Sequence, residues 1–291
     1  MIFSGGRCVT RPPVFFWRLA LLLLPLSLLS CLSLLHSPTE RMLATARSHA
    51  LRPTYLTQNG FSLLALTRQP AVANRLLVVY LEGDGLAWLD RHHLSADPTP
   101  RDSLVLGWML QEPAPAAVYL GRPCQFLDDA VAECPFRYWS SHRYAPEVVT
   151  AMSGAIDTLK RTVQAERVGL VGYSGGGTIG ALLAAQRSDV AWLVTVAANL
   201  DLAAWTSHHQ VSPLPHSGNP ADFADRLSVV PQFHFVGELD KQVPPAIVRA
   251  YAERLPASTV TVRQIPGFDH VCCWVDKWPE LRKMVPFLKG L

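Results

Sequence analysis

The chain has 291 residues, 49% hydrophobic and 17% charged, which suits one large domain or two small ones and excludes a disordered or fibrous protein. Lys and Arg number 26 against 23 Asp and Glu, and the whole excess is Arg7, Arg11 and Arg18, within a first thirty residues that hold no acidic side chain. The remainder balances and carries no basic stripe interleaved with aromatics, so nucleic-acid binding is not expected.

The N-terminus reads as an export signal over residues 1–30: the basic start, an apolar run at 19–29 interrupted by Pro25, then Ser30 and Cys31. A membrane span needs about 20 apolar residues, and this run is shorter and ends among serines. The tetrad Leu28-Leu29-Ser30-Cys31 resembles a bacterial lipobox, which implies lipidation of Cys31 as the new N-terminus. The expected location is then the cell envelope, on the periplasmic face, with a membrane contacted through the lipid anchor. Ordinary signal cleavage and an uncleaved anchor are the alternatives, and all three take the body out of the cytoplasm. Residues 31–54 are expected to be a linker, and 55–291 one domain.

From residue 60 onward, short apolar runs alternate with helical patterns, the signature of an α/β fold. Strands are predicted at 61–67, 76–81, 117–120, 168–172, 192–196, 232–236 and 259–264. Those at 76–81, 168–172 and 192–196 lack polar alternation, as a central strand covered on both faces requires. Helices are predicted at 103–111, 146–164, 176–186, 246–254 and 276–289. In the second of these, Val148, Val149, Met152, Ile156, Leu159 and Val163 recur at helical spacing behind Pro146. The stretches 87–101, 121–144 and 198–226 resist assignment. Each follows a predicted strand, and in an open parallel sheet the strands' carboxyl ends are where ligands bind.

Of six cysteines, Cys8 falls in the signal and Cys31 at its end, leaving four that allow three full connectivities. Cys124 and Cys134 share the irregular stretch 122–136 and are expected to pair, a short ring contributing about 3 kcal/mol on the chain-entropy account. The alternative is two buried thiols. Adjacent Cys272 and Cys273 form either a vicinal disulfide or two thiols lining a pocket. No CxxC or HExxH spacing occurs, so no metal site is expected.

Gly172-Tyr173-Ser174-Gly175-Gly176 holds a Gly-x-Ser-x-Gly pattern, with a buried strand running into it and an apolar helix leaving it. A nucleophile elbow needs that context, because its serine sits on a strained turn where flanking side chains collide. On this motif the chain resembles the α/β-hydrolase family over roughly residues 55–290, among its uncharacterised exported members. The resemblance implies a mostly parallel central sheet with helices on both faces, no large separate lid domain, and a triad in chain order serine, acid, histidine. Ser174 takes the first place, Asp240 after the strand at 232–236 the second, and His270 in the loop after the last strand the third. Glu238 and Asp201, carboxylates that also follow strands, compete with Asp240.

In these roles His270 removes the Ser174 proton while Asp240 holds its tautomer, and preorganised N–H groups receive the oxyanion. The Gly175 N–H is the first expected donor. The second comes from Glu82-Gly83-Asp84-Gly85, which resembles the family's oxyanion loop with Glu82 in place of histidine. Asp84 is the candidate donor there. Gly83, Gly85, Tyr173 and Trp205 are candidate pocket residues. Tyr138, Trp139 and Tyr144 either line the pocket or pack under a loop, and the pairs His92-His93 and His208-His209 read as solvated or hydrogen-bonded rather than metal-binding.

The expected activity is serine hydrolysis of a small carboxylic ester or acyl substrate through an acyl-enzyme, without cofactor. Two alternatives stand beside it. Gly-Tyr-Ser-Gly-Gly also resembles the elbow of prolyl-oligopeptidase-type serine peptidases, and a noncatalytic envelope lipoprotein can use the same fold for binding.

Overall fold

Period-two alternation in the strands and period-3.6 stripes in the helices determine which side chains meet. The structure, a computed structural model, describes residues 36–289 except 69, 70 and 72. The export signal and Cys31 lie outside the described residues. The unit Pro38–Leu291 is built on one eight-stranded sheet in the order β1-β2-β4-β3-β5-β6-β7-β8. These strands are β1 Leu51–Gln58, β2 Phe61–Arg68, β3 Leu76–Leu81, β4 Ala117–Leu120, β5 Arg167–Tyr173, β6 Val190–Val196, β7 Gln232–Gly237 and β8 Val260–Ile265. β1 pairs antiparallel with β2, and β2 with β4; every later pairing is parallel.

The helices are α1 Pro38–Ser48, α2 Leu104–Leu110, α3 Pro146–Val163, α4 Gly175–Gln186, α5 Leu202–His209, α6 Ala224–Leu227, α7 Pro245–Ala252 and α8 Trp278–Leu281. Two apolar layers sandwich the sheet. Leu77, Val79 and Leu81 of β3 face a core filled by α3, α4 and α7, whereas Val78 and Tyr80 face one filled by α1, α2 and α8. This double burial is why β3, β5 and β6 read as continuous apolar runs. The mostly parallel sheet with helices on both faces, and no separate lid among the described residues, agrees with the expected fold class.

The expected linker at 31–54 is corrected: it contains α1, and β1 begins at Leu51. β1 is an edge strand that tolerates Pro53 and joins β2 across Asn59-Gly60, a two-residue turn with φ +48° and +79°. The helix expected at 276–289 is also shorter. It ends at Leu281 and continues as 3-10 turns Arg282–Met284 and Pro286–Leu288, since Pro286 lacks the N–H a continuing helix needs. Within the unassigned stretch 198–226 lies α5, capped by Asp201, whose carboxylate accepts from the Ala204 N–H at 3.1 Å.

One buried group makes stability depend on pH. His234 in β7 is fully buried, its Nδ1 lies 2.8 Å from Thr195 Oγ1 and its Nε2 has no partner, and burial pushes its pKa down to about 3. The unfolded chain therefore binds a proton near pH 6.5 that the folded chain refuses, so the neutral ring's contribution is complete above 6.5 and is lost as pH falls toward 3. Urea titrations should show stability falling by roughly 1.4 kcal/mol per pH unit over part of that window, with a shallower slope in His234→Leu. Equal slopes in both proteins would contradict this.

Candidate active site

β5 runs without interruption into α4, and the junction is Ser174 at φ +48° and ψ −121°. A non-glycine residue holds such a conformation only where its surroundings enforce it. The Ser174 N–H donates to the Val196 carbonyl at 2.9 Å, tying the turn to the neighbouring β6. A Cβ at Gly172 would lie 2.5 Å from the Gly176 carbonyl oxygen, and one at Gly176 would lie 2.3 Å from the Leu81 carbonyl oxygen. The glycines of the motif are therefore required by close backbone approach, and the turn lifts the serine hydroxyl clear of the sheet.

His270 arrives from the loop after β8. Its Nε2 lies 3.1 Å from Ser174 Oγ, and its Nδ1 lies 2.8 Å from Asp240 Oδ2. Asp240 is only 4% exposed, and its Oδ1 also accepts the Gln242 and Val243 N–H groups, each at 2.8 Å. A carboxylate so held accepts a hydrogen bond from the imidazole Nδ1–H, leaving Nε2 free to accept from the serine hydroxyl. The loop is held in turn by Tyr173, whose hydroxyl donates to the His270 carbonyl at 3.0 Å, and by the Trp274 indole N–H, which donates to the same oxygen at 3.1 Å. The two competing carboxylates lie elsewhere. Asp201 caps α5 and pairs with Arg254 at 2.8 Å, and exposed Glu238 accepts the Gly267 N–H at 2.9 Å.

Ser174 and His270 open on a cavity of about 500 Å³ lined also by Gly83, Asp84, Gly85, Tyr173 and Trp205. The Gly175 and Asp84 N–H groups have no hydrogen-bond partner among the described residues. Both acidic side chains of the 82–85 loop are engaged. Glu82 accepts from Ser103 Oγ, from Tyr119 Oη at 2.9 Å and from the Gly83 N–H at 2.8 Å. Burial nevertheless raises its pKa.

The Asp84 carboxylate sits so close to Gly175 that a Cβ there would lie 2.0 Å from Asp84 Oδ1. It accepts from Arg122 at 3.1 Å, Arg143 at 3.3 Å and Tyr144 Oη at 2.6 Å. Burial by itself raises its pKa, but the facing guanidiniums of Arg143 and Arg122 and the Tyr144 hydroxyl outweigh this and hold it below the usual range.

Cys124 and Cys134 are bonded, and Cys272 and Cys273 form the vicinal pair. Tyr138 packs edge-on against Phe61, and Trp139 donates to the Ser95 carbonyl at 3.0 Å, so these two support the loop; Tyr144 reaches the cavity. His93 bonds Asp90, His209 lies 2.9 Å from the Gln242 carbonyl, and no group of three or more metal-ligating side chains occurs among the described residues. Sequence reasoning missed Arg122, Arg143 and Asn199. For Asn199 a signal existed: it is the one strongly polar residue between Ala197 and Leu200, at the carboxyl end of β6.

Arg122 is 4% exposed, so removing its charge leaves the Asp84 carboxylate short of a partner in a buried setting. Arg122→Met should cost about 2–4 kcal/mol in chemical denaturation, and Asp84→Asn in the same chain should restore part of that. A double variant less stable than Arg122→Met would contradict the pairing.

Est1E from Butyrivibrio proteoclasticus is 13% identical, covering 82% of this chain and 99% of that one, with a TM-score of 0.56. An alpha-beta serine hydrolase homologue from Coxiella burnetii is 16% identical over 80% of this chain and 94% of its own, with a TM-score of 0.54. The Pyrococcus furiosus esterase Pf2001 is 13% identical over 82% and 91%, with a TM-score of 0.56. At these identities the likeness is one of fold. No curated protein sequence matches. The serine hydrolase (FSH1) family pattern matches residues 113–271, more than half of the chain and a span that holds Ser174, Asp240 and His270, and the chain belongs to that family of α/β-fold serine hydrolases.

Proposed function

We propose that the protein is a carboxylic ester hydrolase working through an acyl-enzyme on Ser174, exported and held to the envelope membrane by a lipid on Cys31. The observation that carries the catalytic reading is the continuous hydrogen-bond chain from Ser174 Oγ through His270 to buried Asp240, with 3.1 Å and 2.8 Å between its members. His270 takes the hydroxyl proton as Ser174 Oγ attacks the ester carbonyl, and Asp240 stabilises the resulting imidazolium. The Gly175 and Asp84 N–H groups, without partners among the described residues, receive the oxyanion. His270 then gives its proton to the leaving alcohol, and a water activated by the same imidazole releases the acid. A cavity of about 500 Å³ suits a small substrate.

Hydrolysis of 4-nitrophenyl butyrate tests this reading. Ser174→Ala and His270→Ala should each lower kcat by about 10⁴-fold or more, and Asp240→Asn by about 10²–10⁴-fold, with KM little changed. Wild-type rates in all three folded variants would refute the assignment. The anchor has its own test: protein purified from membranes should begin at an acylated Cys31 by mass spectrometry, whereas an unmodified mature N-terminus would refute it.

A further inference from the structure

Among the buried and half-buried polar side chains that line the catalytic cavity, Asn199 is set apart. Glu82, Asp84, Arg143, Tyr144, Tyr173 and His270 each have a protein hydrogen-bond partner. The Asn199 carboxamide has none among the described residues: the residue is 6% exposed, it lines the cavity that holds Ser174 and His270, and its Oδ1 is buried without a partner. Its backbone is fixed from two sides. The Thr178 hydroxyl, one turn into α4, donates to the Asn199 carbonyl at 2.6 Å, and two residues on, Asp201 caps α5 and pairs with Arg254. The elbow is tied to the same strand end, since the Ser174 N–H bonds Val196.

A buried carboxamide on a rigid backbone, facing a cavity and bonded to nothing in the protein, suits a ligand that supplies the missing partner. The same cavity is lined by Leu86, Trp205, Leu214 and Val243, whose side chains offer apolar contact. We propose that Asn199 is the specificity-determining residue of this site and that the natural substrate carries a hydrogen-bonding group, a hydroxyl or an amide, close to its scissile carbonyl. This inference rests on the serine hydrolase reading of the site and names its substrate class: hydroxylated or amido-substituted esters rather than plain alkyl esters. A site built to bond a substrate hydroxyl rejects the analogue lacking it, because its own polar group is then left unpaired.

Matched phosphonates test this without depending on turnover. Ser174 Oγ attacks phosphorus, the new O–P bond forms as the bond to 4-nitrophenolate breaks, and the serine proton passes to His270 and then to solvent. One pair compares ethyl 4-nitrophenyl butylphosphonate with its 3-hydroxybutyl counterpart, placing the hydroxyl on the acyl side. A second compares the ethyl with the 2-hydroxyethyl ester of butylphosphonate, placing it on the alcohol side. The second-order inactivation rate of the wild type should favour the hydroxylated member of one pair by about tenfold or more, and the pair that responds identifies the half of the substrate concerned. In Asn199→Leu, or in Asn199→Ala should the first variant fail to fold, that ratio should fall to near one, with thermal unfolding verifying the fold. Equal rates for both members of both pairs in the wild type, or a preference that survives both substitutions, overturns the inference alone. No inactivation of folded wild type by any of the compounds refutes the serine hydrolase reading and takes the inference with it.

Discussion

A serine at φ +48° between a fully covered strand and a fully covered helix persists only where the surrounding backbone leaves room and holds it there. The rest of the site depends on that turn. Gly172 and Gly176 admit the carbonyl oxygens that a side chain would strike, and the Val196 carbonyl takes the serine N–H. Because the turn is anchored to β6 on one side and to the end of β3 on the other, the loops that leave those strands inherit fixed positions around the hydroxyl. Parallel pairing from β3 through β8 then brings the Asp240 and His270 loops to the same edge.

Around the hydroxyl, the electrostatics are arranged by pairing rather than by net charge. Asp240 is satisfied by two main-chain N–H groups and by His270, which leaves the imidazole one useful nitrogen. Asp84 stands against Gly175, and two guanidiniums and a tyrosine hydroxyl face its charge. Glu82, which stands where the family's loop carries histidine, is likewise held by hydroxyls of Ser103 and Tyr119. Such partners make the acidic side chains of this loop compatible with the proposed acyl transfer.

What the sequence made legible follows from local rules. Two-sided burial produced the unbroken apolar runs of β3, β5 and β6, and Gly-x-Ser-x-Gly marked the junction after β5 because a tight turn has few solutions. The Asn59-Gly60 hairpin turn and β1 were missed, because the polar, proline-bearing run at 51–58 does not resemble a buried strand. The C-terminal helix was overextended because apolar spacing persists through Val285 and Leu288 while Pro286 breaks the backbone. Partners distant in sequence were not legible: nothing local says that Arg122 and Arg143 converge on Asp84, or that Asn199 lines the cavity of Ser174 with its carboxamide unclaimed.

The claim at the centre of this account is that Ser174 is activated by His270. Treating folded wild-type protein with a fluorophosphonate and locating the adduct by peptide mass spectrometry tests it most directly, since an activated serine reacts whatever its natural substrate. The account predicts a single adduct on the peptide bearing Ser174, absent from His270→Ala. An unmodified wild type, or an adduct on another residue, would contradict it.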